Sequence, residues 1–373
     1  MPYKQIDPMR IQTLGLNERE SLLDIRTVAA DPSAPAPDAP AINRQIDLLA
    51  ARIAKARANG ASVMLAYGAH LIKNGGGPLL IELMRRGLVT HLATQGAGIV
   101  HDWEFAHDGR SSEDVRTNVP LGRFGTWSET GVAVNLSALA GATAGMGLGE
   151  SIGRFVLDDG VMLPDVGDLK SAIAAQSDHP LTAARADLLQ AMTAFGLSGG
   201  KFGMTHRFKQ SCVCAQACAM GVPLTVHPGI GYDIYANHPM FSGSAIGRTS
   251  QTDARVFAAG VLNLSGGVYL SVGSAIMSPQ IFEKALSLAN NLRIQDGLGP
   301  ISGHSIAIVD IQNGGGWDWS RGEPPKDNPA YYLRFCKSFH RMGGAVDYLC
   351  GDNVTILHCL LKNAEAPHGN AGT

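Results

Sequence analysis

Aromatic and acidic side chains alternate in Trp317-Asp318-Trp319, a tripeptide that follows three consecutive glycines. Aromatic ring faces attract cations, and a carboxylate between them pairs with an ammonium group, so the tripeptide suits a cationic or planar ligand. A loop buried at a subunit interface would use the same residue types. On the first interpretation, Asp318 is a candidate catalytic carboxylate, and Trp317 and Trp319 are candidate substrate contacts.

Five histidines lie in predicted loops or at predicted strand ends: His70, His101, His206, His227 and His238. Imidazole titrates near neutral pH, so each of these side chains could act as a general base. His101 is the strongest candidate, because it stands beside Asp102 and just after the small turn Gly96-Ala97-Gly98. A structural role is nevertheless the more common one for any single histidine.

Three cysteines lie close together in the sequence, Cys212, Cys214 and Cys218. Their C-x-C-x₃-C spacing is not a standard zinc spacing. They also fall on a predicted apolar helix, where cysteine behaves as a small buried hydrophobic residue. We therefore predict buried thiols and no metal site.

Short apolar segments alternate with longer segments of helical spacing along most of the chain. The predicted strands are Ser62–Tyr67, Val89–Thr94, Pro223–His227, Val268–Val272, Ser305–Ile311 and Val346–Leu349. The predicted helices include Ile42–Ala58, Gly77–Arg86, the long region Ala133–Val156, Leu181–Phe195, Phe208–Met220, Asp253–Leu264, Pro279–Asn291, Tyr331–Met342 and Asn353–Leu361. This alternation predicts a Rossmann-like, doubly wound α/β fold with a mostly parallel sheet and helices on both faces.

Glycines or small residues follow nearly every predicted strand. In such sheets, ligands bind beyond the carboxyl ends of the strands, where helix N-termini offer free N–H groups to a pyrophosphate. Asp233 and Asp352 follow two of the strands and could accept hydrogen bonds from ribose hydroxyls. Gly96-Ala97-Gly98 is only part of a G-x-G-x-x-G fingerprint, and glycines in tight βα turns are the alternative explanation. Their recurrence at one predicted edge favours a dinucleotide site.

The composition narrows the class of protein. Of 373 residues, 45% are hydrophobic and 17% are charged, which is enough apolar material for a large core and too little charge for a disordered chain. A formal net charge of −2 gives no sign of nucleic-acid or membrane binding. No apolar stretch reaches the roughly 20 residues of a membrane span, and the first 20 residues do not resemble a secretory signal. Six cysteines without a short secreted framework predict reduced thiols and a cytoplasmic protein.

Residues 1–42 are predicted to form an N-terminal arm, because the segment Asp31–Pro40 is rich in proline and alanine and cannot form a regular element. The arm would pack on a neighbouring subunit or stay mobile. No linker interrupts the alternation of strands and helices after it. Residues 43–373 are therefore predicted to form a single domain.

Four segments resemble the deoxyhypusine synthase family in order and spacing. They are GAHLIKNGGGPLLIELMRRGLVTHLATQGAGIVHD (68–102), VPLTVHPGIGYD (222–233), GGVYLSVGSAIMSPQIFEKALSLANN (266–291) and DYLCGDNVTILHCLL (347–361). Their order and spacing agree with that family over about residues 45 to 362. Members of that family bind NAD, remove a hydride from spermidine and pass an aminobutyl group to a lysine through an imine. They are homotetramers with sites at subunit interfaces.

The resemblance implies specific site residues in this chain. It implies cofactor contacts at Asn74, Gly96, Ala97, Gly98, Asp233, Gly273, Ser274, Gly351 and Asp352. It implies substrate contacts at His70 and Lys73, and in the family's substrate loop at Trp317, Asp318, Trp319 and Ser320. It also implies NAD as the cofactor and a homotetramer as the assembly.

The chain departs from the family at three places, one of which is the family's histidine after the glycine-rich strand, whose position falls near Ser278. Val100-His101 replaces a glutamate pair, and the tryptophan-glycine-lysine motif that carries the imine is absent. Lys337 is the nearest candidate for that lysine. A lysine can form an imine when burial lowers its pKa, although a lysine in a segment such as Arg334–Lys337 is more often solvated on a helix.

Three hypotheses follow from these features. The first is an NAD-dependent enzyme that removes a hydride from a small amine or hydroxylated substrate, followed by transfer, elimination or hydride return. The second is a sugar-phosphate isomerase on a doubly wound fold, which would need phosphate on its substrate and no NAD. The third is a non-catalytic nucleotide-binding oligomer, which would tolerate substitution of Lys337, His101 and Asp318. Fold alone does not decide among them.

Overall fold

A computed structural model of the chain describes residues 3–364. The strands are β1 (Leu23–Asp24), β2 (Val63–Tyr67), β3 (His91–Thr94), β4 (Arg110–Ser111), β5 (Gly160–Leu163), β6 (Gly200–Gly203), β7 (Leu224–Val226), β8 (Val268–Val272), β9 (Ser305–Asp310) and β10 (Ala345–Cys350). The helices are α1 (Ile25–Val28), α2 (Asn43–Ala58), α3 (Ala69–Lys73), α4 (Gly77–Arg85), α5 (Gly96–Asp108), α6 (Val115–Asn118), α7 (Ser128–Thr143), α8 (Leu148–Leu157), α9 (Val166–Ala175), α10 (Thr182–Ala194), α11 (Val213–Met220), α12 (Gly243–Leu262), α13 (Met277–Gln295), α14 (Arg334–His340) and α15 (Asn353–Asn363).

Six parallel strands form the main sheet, in the order β7-β3-β2-β8-β9-β10. The first of them along the chain, β2, lies near the centre. The next two, β3 and β7, add on one side of it, and the last three add on the other. This is the 3-2-1-4-5-6 order of the dinucleotide-binding Rossmann fold. The α/β, doubly wound fold class predicted from the sequence is confirmed.

Both faces of this sheet are covered by helices. Met64, Tyr269 and Ile306 are cross-strand neighbours on one face, and all three are fully buried. Phe282 of α13 stacks on Tyr269 with 4.1 Å between the ring centroids, and α12 and α14 supply the neighbouring core aromatic residues. On the opposite face α2 and α15 contact the strands. Strands buried on both faces read as continuous apolar segments, which is why the sequence reveals them.

Each of the six predicted strands of the main sheet is present, with ends that differ by at most two residues. The predicted helical region Ala133–Val156 consists of two helices in the structure, α7 and α8, at 111° to each other. The break lies at Gly145, whose φ of +73° is the left-handed conformation that ends many helices. The predicted helix at Asp253 begins ten residues earlier, at Gly243.

Contacts divide the chain into two compact units. The first contains the residues up to Thr27, with Ile99–Ala219 and Pro228–Asp253. The second contains Val28–Gly98, Met220–His227 and the described residues from Ala254 onward, and it holds the whole six-stranded sheet. The single domain predicted for residues 43–373 stays a prediction.

The proline-rich part of the predicted arm lies against α15 in the second unit. The carbonyl oxygen of Ala34 accepts a hydrogen bond from Nε2 of His358 at 3.1 Å. The carbonyl oxygen of Pro37 accepts one from the thiol of Cys359, also at 3.1 Å. A segment without helix or strand hydrogen bonds is thus held through its carbonyl groups.

The first unit is mainly helical. The apolar helices α7 and α8 pack together, α10 contacts α7, and β5 and β6 form an antiparallel pair. Within the described residues, no single helix is long and apolar enough to cross a membrane, although α7 and α8 pass that test by length and composition when they are taken as one bent pair.

Candidate functional site

The backbone after β2 passes very close to the backbone after β8. A Cβ atom built on Gly68 would lie 2.0 Å from the carbonyl oxygen of Gly273, so no side chain fits there. Gly273 itself has a φ of +57°, a conformation that glycine adopts readily and other residues rarely. These two strands are neighbours at the point where the strand order reverses, which is where ligands bind in open α/β sheets.

The turn after β3 packs against the end of its own strand. A Cβ on Gly98 would lie 2.2 Å from Oγ1 of Thr94, and that hydroxyl donates to the carbonyl oxygen of Tyr67 at 3.0 Å. With its amide in the orientation that satisfies both groups, Gln95 bridges the carbonyl of Tyr67 and the N–H of Ala69. Gly98 therefore has a packing role, and Gln95 joins the ends of β2 and β3.

Polar groups also cluster beyond β9 and β10. Asp310 ends β9, is 8% exposed and accepts a hydrogen bond from the N–H of Gln312 at 3.0 Å. Gly351 donates its N–H to the carbonyl oxygen of Asp310, which ties the two strand ends together. The carboxylate of Asp352 accepts from the N–H of Thr355 at 2.8 Å and so caps α15.

Asn353 provides a test of whether a dinucleotide fits this edge. Its Oδ1 atom is buried without a hydrogen-bond partner among residues 3–364. Its amide group fills the space beside Gly273, where a Cβ would lie 2.3 Å from Nδ2. A buried carbonyl oxygen without a donor is costly, and a ribose hydroxyl or a carboxamide N–H would satisfy it. The glycine turns and this orphaned acceptor fit NAD.

The Trp317-Asp318-Trp319 loop lines a cavity of about 340 Å³ beside β10. Trp317 is half-buried and donates its indole N–H to the carbonyl oxygen of Gly322 at 2.9 Å, while Trp319 is buried. Asp347, which forms an ion pair with Arg52, also lines the cavity. The cavity therefore combines aromatic walls with two carboxylates.

Asp318 has a second, structural function in this loop. Its carboxylate accepts hydrogen bonds from the N–H of Ser320 at 2.9 Å and from the hydroxyl of Ser320 at 2.7 Å. These bonds lower the pKa of Asp318. The carboxylate is thus ionised at neutral pH, as cation binding requires.

The other predicted residues of the second unit have varied settings. Lys337 is half-buried on α14, with its amine 3.7 Å from the centre of the Tyr331 ring. His70 is exposed on α3, and Lys73 ends the same helix. Ser274 is 7% exposed, and its hydroxyl accepts the N–H of Ser278 at 3.3 Å, at the start of α13.

The predicted residues His101 and Asp233 lie in the first unit, as do the candidate histidines His206 and His238. His101 bonds through Nδ1 to the hydroxyl of Ser111 at 2.8 Å. That hydroxyl donates to the carboxylate of Glu104. Glu104 also forms a bidentate ion pair with Arg19, and both of these side chains are 1% exposed. The guanidinium keeps the pKa of Glu104 low despite burial. His101 is therefore held by a fully bonded polar network.

Asp233 belongs to a tight turn in the first unit. Its carboxylate accepts from the N–H of Gly229 at 2.8 Å and from the hydroxyl of Tyr235 at 3.1 Å. Its role as a ribose ligand stays a prediction.

Sequence reasoning missed several polar residues at the carboxyl edge of the sheet. The sequence analysis does not single out Thr94, Gln95 and Asn353, although Thr94 ends β3, Gln95 lies between β3 and α5, and Asn353 begins α15. Their position directly after an apolar strand or a small turn was the available signal. In the described part of the chain, no group of three or more His, Cys, Asp or Glu side chains could hold a metal ion.

Comparisons with known proteins find distant structural likenesses. No protein-family model and no curated protein matches the chain. The apo structure of ArgZ, an arginine dihydrolase from the ornithine-ammonia cycle in cyanobacteria, is 14% identical with a TM-score of 0.41 over 88% of this chain and 32% of that one. The ternary complex of AgrE with ornithine and NAD+ is 13% identical with a TM-score of 0.43, over 89% and 34%.

A third likeness is to a conserved LOR/SDH protein from Methanococcus maripaludis S2. It is 14% identical with a TM-score of 0.41, over 91% of this chain and 72% of that one. The chain spans about a third of the length of ArgZ and AgrE. At TM-scores below 0.5, none of these likenesses carries an argument about what this chain binds.

Proposed function

We propose that the chain is an NAD-dependent enzyme of the deoxyhypusine synthase superfamily. It would remove a hydride from a small amine or hydroxylated substrate, and then complete a transfer, an elimination or the return of the hydride. The observation that carries the proposal is the 3-2-1-4-5-6 strand order, with Gly68 and Gly273 in close backbone contact at the reversal point. NAD, when bound, supplies the acceptor for the hydride.

The residues that would hold the dinucleotide follow from the two halves of the sheet. In this fold each half binds one mononucleotide, with the pyrophosphate near the turn after the first strand. The turn at Gly68 and the start of α5 would face the adenosine half and the pyrophosphate. Gly273, Ser274 and Asn353 would face the nicotinamide half, where the unsatisfied Oδ1 atom of Asn353 can accept a hydrogen bond.

The substrate would bind in the cavity beside β10, in the half of the sheet that holds the nicotinamide. Its aromatic walls and the carboxylates of Asp318 and Asp347 suit an amine.

We also propose that the chain forms a homotetramer with sites at subunit interfaces. Light scattering would measure the mass of this assembly. Four exposed aliphatic side chains on and just after α13 support a subunit contact, Leu288, Leu292, Ile294 and Leu298.

Calorimetric titration of NAD into nucleotide-free protein tests the cofactor. We expect saturable binding, or NAD that co-purifies and is found by absorbance and mass spectrometry. Polyamines and polyols can then be screened for transient NADH absorbance. A folded, nucleotide-free protein that binds no NAD would remove the basis of the proposal, and binding of sugar phosphates instead would favour an isomerase.

The substitution Asp318→Asn tests the substrate cavity. Asparagine keeps the Oδ1 atom that accepts from Ser320 and removes the charge. We expect affinity for spermidine, measured by calorimetry on the NAD-loaded protein, to fall by about tenfold, since a charge-assisted hydrogen bond is lost. The thermal midpoint should stay within about 2 °C of the wild-type value. Unchanged spermidine affinity would place the amine elsewhere.

A further inference from the structure

A buried and a half-buried histidine meet at one threonine hydroxyl in the second unit. Nε2 of His91, on β3, lies 3.2 Å from Oγ1 of Thr225, on β7. Nε2 of His227, which directly follows β7, lies 3.2 Å from the same oxygen. Phe257 of α12 packs edge-on against both imidazole rings, at 5.5 and 5.3 Å between centroids.

The hydrogen bonds of this cluster fix which nitrogen of each histidine carries a proton. Oγ1 of Thr225 also lies 3.4 Å from the carbonyl oxygen of Leu92, which can only accept. A hydroxyl donates one hydrogen bond and accepts two. All three contacts are satisfied together when Thr225 donates to Leu92 and both imidazoles donate from Nε2. Each Nδ1 atom then carries a lone pair.

Nδ1 of His227 is an available acceptor. It makes no hydrogen bond to the described residues. It is also not one of the fully buried polar atoms among them, so a ligand can reach it. The N–H of His227 donates to the carbonyl oxygen of Thr94, which holds the residue at the carboxyl edge of the sheet. Burial lowers the pKa of His227 to about 4, so the ring stays uncharged at neutral pH.

We propose that Nδ1 of His227 accepts a hydrogen bond from the exocyclic amine of the adenine ring of the dinucleotide. The inference rests on the proposed function. His227 follows the third strand of the half that binds adenosine in this fold, and Gln95, at the end of the second strand, lies nearer the ribose position. Adenine presents an amine donor at C6, whereas hypoxanthine presents a carbonyl acceptor that would face the lone pair of Nδ1. Thr225 and His91 are positioning residues that fix the tautomer.

Calorimetry with two dinucleotides tests this proposal. The probes are NAD and nicotinamide hypoxanthine dinucleotide, titrated into full-length wild-type protein and into His227→Phe, Thr225→Val and Thr225→Ser. We expect the wild-type protein to bind NAD about tenfold more tightly than the hypoxanthine analogue, which corresponds to one hydrogen bond. His227→Phe keeps a ring against Phe257 and should abolish this preference, because it removes both the acceptor for adenine and the lone pair that faces the hypoxanthine carbonyl.

The two variants at Thr225 test which tautomer His227 adopts. Thr225→Val removes the hydroxyl, so His227 is free to protonate Nδ1, and the preference for NAD should shrink or reverse. Thr225→Ser keeps the hydroxyl and should keep the preference. If Thr225→Val does not fold, His227→Phe decides the matter. Equal wild-type affinity for both dinucleotides overturns the inference and leaves the proposed function standing, whereas a protein that binds neither dinucleotide overturns both.

Discussion

The free energy of unfolding is expected to fall steeply as the pH drops from about 6.5 to 4, because at least four histidines are held uncharged in the folded protein. Burial lowers the pKa of His91 to about 3 and the pKa values of His206, His227 and His238 to about 4. In the unfolded chain each pKa returns to about 6.5. Each unit contains two of these histidines, so both units should be sensitive to acid.

The direction follows from proton linkage. Between the folded and unfolded pKa values, the unfolded chain binds more protons, so acid stabilises it. Above pH 6.5 both states are neutral and the effect vanishes. At pH 5 each histidine favours unfolding by about 2 kcal/mol, and four together approach the whole stability of a typical domain.

Chemical denaturation at pH 7 and pH 5 measures the effect, and two asparagine variants provide a matched comparison. Nδ1 of His238 accepts the N–H of Met240 at 3.1 Å, and Nδ1 of His179 accepts the N–H of Leu181 at 3.1 Å. His238 is 5% exposed, whereas His179 lies on the surface. The oxygen of asparagine can take over either bond, so the two variants differ mainly in burial.

His238→Asn should reduce the stability difference between pH 7 and pH 5 by about 2 kcal/mol. His179→Asn should leave that difference unchanged. An equal effect of the two variants would show that burial of His238 is not the source of the acid sensitivity.

Gly68→Ala should both destabilise the protein and abolish NAD binding. The added Cβ would lie 2.0 Å from the carbonyl oxygen of Gly273, and that backbone is fixed by the bond from the N–H of Gly273 to Val309. Since neither backbone segment can shift locally, β2 and β8 must separate at the point where the strand order reverses. We expect a loss of about 3 kcal/mol in the free energy of unfolding and a loss of at least about 100-fold in NAD affinity.

Gly247→Ala is the matched control. Gly247 lies on α12 with nothing within 4 Å of a built Cβ, so alanine should be neutral or raise stability by up to about 1 kcal/mol. Its NAD affinity should equal that of the wild-type protein. NAD binding by Gly68→Ala at wild-type strength would mean that the dinucleotide does not lie at the turn between β2 and β8.

The sequence contains enough information to predict the strands, because a strand buried on both faces needs consecutive apolar residues. It does not reveal the β5–β6 pair, whose four-residue strands contain three glycines and are only partly buried. It also does not reveal the division into two units, which depends on contacts between distant segments. It also does not locate the helix break at Gly145, since a glycine within a run of small residues is compatible with a continuing helix.

The candidate site was predictable only as a set of strand ends. Local pattern cannot say that β8 lies beside β2, so it could not bring Gly68 and Gly273 together. It also could not single out Asn353, whose significance lies in an oxygen that is buried without a partner in the described residues. The sequence likewise does not distinguish His227 from the other four candidate histidines. Its bond to Thr225 becomes informative only when the structure shows that His91 shares the same hydroxyl.

The contact between Ala34 and His358 has a consequence for biosynthesis. These residues are 324 positions apart, and the proline-rich segment they anchor lies against the last helix of the described chain. Loops of that length close slowly, and folding slows as contacts join more distant residues. The segment emerges from the ribosome more than 300 residues before the helix on which it packs. The segment therefore cannot reach its final position until α15 has been synthesised, and chaperones that shield the strands of the second unit in the interval should raise its yield.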